Sequence, residues 1–328
     1  MSSLTIGLTG ANGFVGSHIA ESCLKEEFQL TCLLRKTSDT TFIRDLIYTR
    51  VTGDINDENA LSRFVRNQNI IIHNAGLTKA KNESEYMEVN ANGTKNILNA
   101  ILQFNPKIRR FILISSQAAV GPTSSSEPLD ESIPKRPITA YGRSKARAEE
   151  ICQEYSNKIP ITIIRPPAIF GPREKDIYEY FRIINKGIQP VIGQENTFSV
   201  VSIQNLVKGI LISIHKQNKN LECYFITDEG DYTWDQFSSM IADQLNKKPI
   251  KIKIPNWIVI IMVGINEVYS KIFKKAVLLN KEKLKEMKQT RWVVSSQKAT
   301  KELGYRPVLT TKQAIAITVD WYKENGWL

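Results

Sequence analysis

Two side chains that could exchange a proton with a substrate, Tyr141 and Lys145, lie four residues apart. Residues at this spacing lie on one face of a helix, about 6 Å apart along its axis. A free tyrosine has a pKa of about 10, so it is a poor acid or base near neutral pH. A lysine cation beside it would favour the phenolate and lower that pKa. The pair predicts acid–base chemistry, and a serine at the end of the strand-like segment 109–115 could bind the same substrate oxygen.

A glycine-rich segment near the N-terminus forms a second candidate site, directly after the apolar run 4–8. Gly10 can make a tight turn, Gly13 lets a ligand approach the backbone, and Gly16 lets a helix pack closely. The helix that follows offers free N–H groups and a partial positive charge to phosphates. The segment therefore predicts a dinucleotide-binding turn, with candidate contacts from Gly10, Gly13, Phe14, Val15 and Gly16.

The elements that must position these residues alternate along the first half of the chain. Strands are predicted at 4–9, 29–34, 48–52, 70–73, 109–115 and 160–165, and helices at 14–26, 57–67, 85–104 and 139–157. This alternation predicts an α/β fold, a doubly wound parallel sheet of the Rossmann type. A strand order of 3-2-1-4-5-6 would place the cofactor over the carboxyl ends of the strands. Later elements are less regular, with helices near 175–185 and 206–215 and a strand near 198–203.

Several further motifs make the chain resemble the extended short-chain dehydrogenase/reductase family. This family includes nucleotide-sugar epimerases and dehydratases, dihydroflavonol reductases and 3β-hydroxysteroid dehydrogenases. The resemblance covers nearly the whole chain and is carried by Thr9–Gly16, Gly53-Asp54-Ile55, His73-Asn74-Ala75-Gly76, Val89–Thr94, Ser116 with Tyr141 and Lys145, and Arg165–Pro172. It implies a cofactor-binding domain over 1–170 and, over 171–328, a smaller, interleaved substrate lobe. A segment at about 198–216 would return to the large domain.

The resemblance also implies the roles of individual residues. Ser116, five residues before Gly121, orients the substrate oxygen, and Tyr141 moves a proton. Lys145 lowers the pKa of the tyrosine and holds the nicotinamide ribose. Besides the glycine turn, the implied cofactor contacts are Arg35, Lys36, Asp54, Ile55, Asn74, Ala75, Gly76, Thr78, Asn90, Lys145 and Pro166.

Two of these implied contacts have a structural alternative. Asp54 would reach the adenine amine, or it simply caps a helix that begins near Asn56. Asn90 would support the site by hydrogen bonding near Lys145, or it has a purely helical role. No metal site is expected, because the four cysteines lie far apart and only three histidines are present.

The choice of cofactor depends on the end of the second predicted strand. An acidic residue there usually holds the ribose hydroxyls of NAD. This chain instead has Arg35-Lys36, and two cations would attract a 2′-phosphate. NADP is therefore favoured over NAD. The alternative is that Arg35 stacks on the adenine and that NAD binds.

Departures from the family motifs indicate the reaction. Gln117-Ala118 stands where sugar-nucleotide dehydratases have an Asp-Glu pair, and Ala168 stands where nucleotide-sugar enzymes commonly have Asn. We therefore expect an oxidoreductase that interconverts a secondary alcohol and a ketone on a small or medium, fairly apolar substrate. The alternative is a nucleoside-diphosphate-sugar 4-epimerase with tightly bound NAD, in which Arg173 and Lys175 could bind the diphosphate. A non-catalytic dinucleotide-binding sensor is less favoured, because such relatives typically lose the Tyr or the Lys.

The net charge of +11 comes mainly from scattered lysines, which favours a solvated surface. No motif points to nucleic acid. The apolar run Trp257–Ile265 precedes a lysine-rich stretch that ends at Lys288. We expect a buried helix of the substrate lobe there, with a peripheral membrane contact through 257–288 as the alternative. No signal peptide is recognised, so we expect a cytoplasmic enzyme, and by resemblance a homodimer through helices near 85–104 and 139–157.

Overall fold

The computed structural model of the chain describes residues 4–192, 196–216, 220–273 and 281–328. Its main feature is a seven-stranded parallel sheet in the order β10-β6-β5-β4-β1-β2-β3. The strands in chain order are β1 (Thr5–Thr9), β2 (Gln29–Leu34), β3 (Thr49–Thr52), β4 (Ile70–His73), β5 (Arg110–Ile114), β6 (Ile161–Arg165), β7 (Ala168–Phe170), β8 (Ile188–Ile192), β9 (Thr197–Ser202), β10 (Leu221–Phe225), β11 (Asp231–Thr233), β12 (Ile250–Ile254) and β13 (Arg291–Trp292). The predicted doubly wound α/β fold and its order 3-2-1-4-5-6 are confirmed.

Helices cover both faces of this sheet and build the second half of the chain. They are α1 (Phe14–Lys25), α2 (Glu58–Val65), α3 (Glu83–Tyr86), α4 (Gly93–Phe104), α5 (Ala140–Tyr155), α6 (Tyr178–Asn185), α7 (Ile203–Ile214), α8 (Trp234–Leu245), α9 (Asn256–Phe273), α10 (Lys281–Met287), α11 (Gln297–Leu303) and α12 (Thr311–Glu324). A π-helical turn, Met87–Asn92, joins α3 to α4. Because both faces are covered, the central strands are runs of buried apolar residues such as Ile70, Ile71 and Ile72.

The seventh strand, β10, was not expected from the sequence. It comes from the second half of the chain and pairs in parallel with β6, with Cys223 opposite Ile163. Helix α7 also belongs to the large domain, because Leu206 and Ile210 share a core with Ile19 of α1. Strand β9 lies instead in the smaller sheet, between β11 and β13.

The smaller sheet and helices α6, α8 and α12 enclose a second core that is rich in aromatic rings. Its buried members include Phe170, Phe181, Phe198, Phe237 and Tyr322. These rings meet mostly edge to face, an arrangement that aromatic pairs favour. Strand β7 pairs with β9 directly after β6 ends, so the second core begins beside the carboxyl ends of the strands in the large sheet.

Helix α9 departs from expectation, because the sequence predicts that it is buried. Val259 and Val263 are buried, each only 3% exposed. The opposite side of the helix is both apolar and 47–63% exposed, and consists of Trp257, Ile260, Ile261, Met262 and Ile265. The prediction of a buried helix is therefore wrong, since only one narrow stripe of α9 packs against the protein. Within the described ranges, no helix has the length and apolar character needed to cross a membrane.

Candidate active site

The candidate catalytic residues meet at the carboxyl ends of the central strands, beside the point where the strand order reverses between β1 and β4. Crevices of this kind are the usual ligand sites of doubly wound sheets. Ser116 follows β5 and begins a short helical turn, where its Oγ accepts a hydrogen bond from the N–H of Ala118 at 3.1 Å. The Ser116 hydroxyl lies near the phenol of Tyr141 and lowers its pKa. The structure thus brings together two of the three residues expected to act on the substrate.

Tyr141 lies in the first turn of α5, where three contacts fix the backbone and the ring. Thr139 caps the helix by accepting from the N–H of Gly142 at 3.1 Å. The carboxylate of Glu282 in α10 accepts from the N–H of Ala140 at 2.6 Å. The ring of Tyr86 lies 6.0 Å from the Tyr141 ring, centre to centre. The tyrosine is therefore held between the large domain and α10.

The pKa of Tyr141 is raised to about 12, chiefly because burial disfavours the phenolate. The nearby Ser116 hydroxyl works in the opposite direction and lowers this pKa. The negative charge of Glu286, also in α10, raises it further. At neutral pH the tyrosine is therefore a protonated phenol that can donate its proton.

Lys145 does not have the effect on Tyr141 that the sequence predicts. Its ammonium is buried and donates a hydrogen bond to the backbone carbonyl of Ile114, at the end of β5, at 2.9 Å. Burial lowers the pKa of Lys145 to about 8, although the nearby Glu149 carboxylate raises it. The expectation of a lowered tyrosine pKa is therefore wrong for this structure, because burial of the phenol dominates.

A buried ionic network beneath the site was missed by the sequence analysis. The carboxylate of Glu149 accepts from the hydroxyl of Ser115 at 2.6 Å and from two guanidinium nitrogens of Arg165 at 2.9 and 2.7 Å. Lys135 lies 3.7 Å from the same carboxylate. The hydroxyl of Ser115 is thus occupied by its hydrogen bond to Glu149, whereas the hydroxyl of Ser116 lies near Tyr141. The only signal in the sequence was the spacing of Lys145 and Glu149, one helical turn apart.

Asn90 connects the loop after β4 to the tyrosine helix. Its side chain accepts from the N–H of Leu77 at 2.7 Å, and donates to the carbonyl of Leu77 at 3.0 Å and to the Ser144 hydroxyl at 2.9 Å. A Cβ on Gly76 would lie 2.9 Å from Asn90 Oδ1 and 3.2 Å from Lys145 Nζ. Asn90 lies in the π-helical turn, a local distortion often found at functional sites. Gly76, Asn90 and Lys145 therefore form one corner of the crevice.

The backbone of the glycine turn is crowded at Gly10 and Gly16 and open at Gly13. Gly10 has a φ of +69°, and a Cβ there would lie 2.8 Å from the backbone nitrogen of Ala75. A Cβ on Gly16 would lie 2.0 Å from the carbonyl oxygen of Gly10, whereas the nearest atom to a Cβ on Gly13 is 3.5 Å away. The backbone at Gly13 is thus open to a ligand. No side chain in the described ranges caps the start of α1, so Phe14, Val15 and Gly16 present their N–H groups there.

The loop after β4 is tied to this turn. Asn74 donates from its side chain to the carbonyl of Gly10 at 3.2 Å, and the N–H of Ala75 donates to the Thr9 hydroxyl at 3.0 Å. Thr78 lies farther along the loop and accepts at its carbonyl from the phenol of Tyr86 at 3.1 Å. These bonds keep the two loops that face a dinucleotide at a fixed distance from each other.

The ends of β2 and β3 carry exposed cations. Arg35 and Lys36 follow β2, and Arg50 on β3 donates to the carbonyl of Arg35 at 3.0 Å. No carboxylate of the described residues pairs with the Arg35 side chain. Asp39 accepts instead from the backbone and hydroxyl of Thr41, at 3.0 and 2.6 Å. Arg50 was not predicted from the sequence, and it adds a third positive charge beside Arg35 and Lys36.

The remaining candidate cofactor contacts are structurally defined. The side chain of Asp54 accepts from the N–H of Asn56 at 3.1 Å, while Asp57 caps α2 by accepting from Ala60 at 3.0 Å. The alternative in which Asp54 caps this helix is therefore wrong. Ile55 is buried, and Gly93 leaves room for its side chain. Pro166 is also buried, and its carbonyl accepts from the N–H of Gln117 at 2.9 Å, which ties the serine turn to the end of β6.

Arg173 does not have a free guanidinium for a substrate diphosphate. It donates to the hydroxyl of Ser17 at 3.0 Å, pairs with the carboxylate of Glu21 and stacks over the ring of Phe42 at 5.1 Å. Lys175 is exposed. Of the two cations that could have compensated for Ala168, Arg173 is therefore already paired within the protein.

Comparison with known proteins identifies the family. The model of the NAD-dependent epimerase/dehydratase family matches residues 6–220. A ceramide reductase from Caulobacter vibrioides is 26% identical over 324 residues, which cover 98% of this chain and 96% of that protein. An undecaprenol-linked N-acetylglucosaminyl-diphosphate 4-epimerase from Escherichia coli O157:H7 is 30% identical over 258 residues, 76% of this chain and 74% of that protein.

Among solved structures, UDP-glucose 4-epimerase from Thermotoga maritima superposes with a TM-score of 0.81. That alignment covers 98% of this chain and 99% of the epimerase at 17% identity, and it supports the fold. The chain belongs to the NAD-dependent epimerase/dehydratase family. It is an enzyme of the extended short-chain dehydrogenase/reductase type, and its cofactor is a nicotinamide dinucleotide.

Proposed function

We propose that this enzyme is an NADP-dependent oxidoreductase that reduces a ketone to a secondary alcohol on a fairly apolar substrate. The observation that carries the proposal is the placement of the Tyr141 phenol and the Ser116 hydroxyl beside each other at the carboxyl ends of the central strands, where burial raises the pKa of the tyrosine. A phenol that keeps its proton at neutral pH suits a reductase, because reduction of a ketone needs a proton donor at the carbonyl oxygen. Alcohol oxidation would need the phenolate, which burial disfavours here.

The residues of the site have complementary roles in this proposal. Tyr141 donates its proton to the substrate oxygen, and the Ser116 hydroxyl orients that oxygen by a hydrogen bond. When bound, the reduced nicotinamide supplies the hydride. Lys145, with Asn90 and Gly76 beside it, would hold the nicotinamide ribose, and the glycine turn would hold the pyrophosphate. Arg35, Lys36 and Arg50 would bind the 2′-phosphate that distinguishes NADP from NAD.

The substrate class follows from what the site lacks and from the similarity to a ceramide reductase. Gln117 and Ala118 supply no carboxylate beside Ser116 to expel water, so dehydration is disfavoured. Ala168 and the paired Arg173 leave few groups for a diphosphate. Together with the near-full-length similarity to a ceramide reductase, these features favour a ketone carried on a lipid-like molecule.

We also expect a cytoplasmic homodimer.

The first test is a fluorescence titration of the purified protein with NADPH and with NADH. We expect NADPH to bind at least about tenfold more tightly, which corresponds to about 1.4 kcal/mol. Arg35→Ala should remove this preference. Lys107→Ala removes an exposed cation at the opposite end of the strands, before β5, and should retain the preference for NADPH. Equal or tighter NADH binding in the wild type would overturn the assignment to NADP.

The second test is turnover of a ketone-bearing ceramide with NADPH, compared with turnover of UDP-glucose. We expect reduction of the ketone, and its loss in Tyr141→Phe with NADPH binding retained. Epimerisation of UDP-glucose by protein that copurifies with NAD would favour the 4-epimerase instead. The large group of sugar-nucleotide enzymes among the relatives makes this comparison necessary.

A further inference from the structure

The exposed apolar side of α9 is unusual for a protein surface. Trp257, Ile261 and Ile265 follow one another at helical spacing and are 52–63% exposed. From Asn256 to Asn266 the chain contains no charged residue. A solvated helix normally places polar side chains on its outer side. Contiguous apolar patches of this kind mark interaction sites.

The strand before α9 extends this apolar character. Ile250 of β12 is 72% exposed and lies opposite Ile188 of β8, which is 39% exposed. Ile252, two residues farther along β12, is 45% exposed. Side chains two apart lie on the same face of a strand, so these residues share one exposed face. We give the name apolar face to the exposed side of α9, which consists of Trp257, Ile260, Ile261, Met262 and Ile265.

The segment that carries the apolar face also carries most of the net charge of the protein. Residues 247–288 contain eleven lysines and three glutamates, a net charge of +8 out of the +11 of the whole chain. Lys247, Lys248 and Lys253 precede α9 and are exposed. This concentration of like charge opposes the docking of a second copy, because two such segments would repel each other.

We propose that the apolar face docks on the surface of a lipid bilayer that contains anionic headgroups. A helix with an apolar face and neighbouring lysines lies in the membrane interface with the apolar side chains inserted. Tryptophan is enriched at the headgroup level, where Trp257 would lie. Lysines near an anionic leaflet add attraction that weakens with salt. Both the exposed apolar residues and the excess positive charge are thereby explained.

The docking surface is linked to the active site through α10. Glu282 of α10 accepts from the backbone N–H of Ala140, and Glu286 raises the pKa of Tyr141 through its negative charge. Residues 274–280, which connect α9 to α10, lie outside the described residues. One part of this proposal rests on the proposed function: a lipid-like ketone substrate would enter the site from the bilayer, beside α10.

The test is flotation of the full-length protein with vesicles of phosphatidylcholine, with and without added phosphatidylglycerol. We expect the wild type to bind the anionic vesicles and to dissociate at high salt. Trp257→Gln/Ile261→Gln/Ile265→Gln should reduce binding at least about tenfold. The matched control is Ile47→Gln/Val308→Gln, which removes apolar residues that are 88% and 57% exposed elsewhere, and it should bind like the wild type. Lys247→Gln/Lys248→Gln, which removes two exposed lysines before β12, should bind less and show a smaller preference for phosphatidylglycerol.

The outcomes separate this inference from the proposed function. Wild-type protein that does not bind either vesicle, or that binds no better than the α9 triple variant, would overturn the docking surface. A larger oligomer in solution that dissociates in the triple variant would also overturn it, and would assign the apolar face to a second copy. Reduction of a short, water-soluble ketone should be equal in the wild type and the α9 variant. Vesicle binding without reduction of any ketone would refute the proposed function and leave the docking surface standing.

Discussion

Replacing Glu149 with glutamine should be far more damaging than any change to a neighbouring surface carboxylate. The Glu149 side chain is 2% exposed and its carboxylate neutralises Arg165, whose side chain is 7% exposed. Breaking a buried pair by removing one partner costs about 3–5 kcal/mol, because the other charge is left uncompensated. The matched control is Glu150→Gln in the same helix. Glu150 pairs with Arg147 at an exposed site, where the expected loss is about 0.2–1 kcal/mol.

The same substitution should change how cofactor binding depends on pH. Lys145 has a pKa of about 8, and the Glu149 carboxylate raises that value. In Glu149→Gln this contribution is lost while the effect of burial remains, so the pKa of Lys145 falls. If the ammonium holds the ribose, affinity for NADPH is lost as the pH rises through this pKa. The loss should therefore occur at lower pH in Glu149→Gln than in the wild type or Glu150→Gln.

Two measurements test this reasoning: urea unfolding of the three proteins and NADPH titration by fluorescence between pH 6 and 9. Equal unfolding free energies for Glu149→Gln and Glu150→Gln would show that the buried ion pair of Glu149 and Arg165 does not stabilise the fold. An unchanged pH midpoint would show that Glu149 does not control Lys145. If Glu149→Gln does not fold, Ser115→Ala provides a milder test. It removes only one donor to the carboxylate, at an expected cost of about 1 kcal/mol.

The remaining predictions concern the glycine turn, the tyrosine and the assembly. Gly16→Ala should lower the unfolding free energy, because its Cβ would lie 2.0 Å from a backbone oxygen. Gly13→Ala should leave the unfolding free energy nearly unchanged and should weaken NADPH binding in a titration. Gly13→Ala protein that binds NADPH normally would contradict the assignment of this turn to the pyrophosphate. With the cofactor kept saturating, ketone reduction should decline as the pH rises toward the pKa of Tyr141, near 12, and alcohol oxidation should increase, because only oxidation needs the phenolate. Reduction and oxidation rates that change in the same direction with pH would contradict this expectation. Light scattering should give twice the 37.3 kDa of one chain if helices α4 and α5 form a homodimer, and a mass of one chain would refute that expectation.

The fold of the first half was predictable because local and long-range preferences agree there. Ile70–His73 and Ile161–Arg165 are short apolar runs between helices with clear apolar stripes, and both are central strands. The glycine spacing fixed the first turn, and the Tyr–Lys spacing placed Tyr141 and Lys145 in one helix. These patterns depend on residues that are neighbours in the sequence, so the sequence displays them directly.

What the sequence did not reveal depends on partners distant along the chain. Leu221–Phe225 pairs with a strand 60 residues earlier, and no local pattern indicates that partner. The raised pKa of Tyr141 follows from burial and from Glu286, which lies far away in sequence. The prediction for helix α9 was wrong because a run of apolar residues predicts burial, whereas only Val259 and Val263 of its apolar side chains are buried among the described residues. Hydrophobicity alone does not say which face of such a helix has a neighbour.

The position of β10 has a consequence for synthesis of the chain on the ribosome. Until Leu221–Phe225 has emerged, β6 is the outermost strand of a parallel sheet, and its N–H and C=O groups on that side have no partner. The strand sequence Ile-Thr-Ile-Ile-Arg is rich in β-branched residues, a composition prone to pairing with other chains. A fragment that ends near residue 170 would contain the complete dinucleotide turn and the catalytic residues, yet it should aggregate. A fragment extended past Phe225 would cover that edge with β10, as in the whole chain.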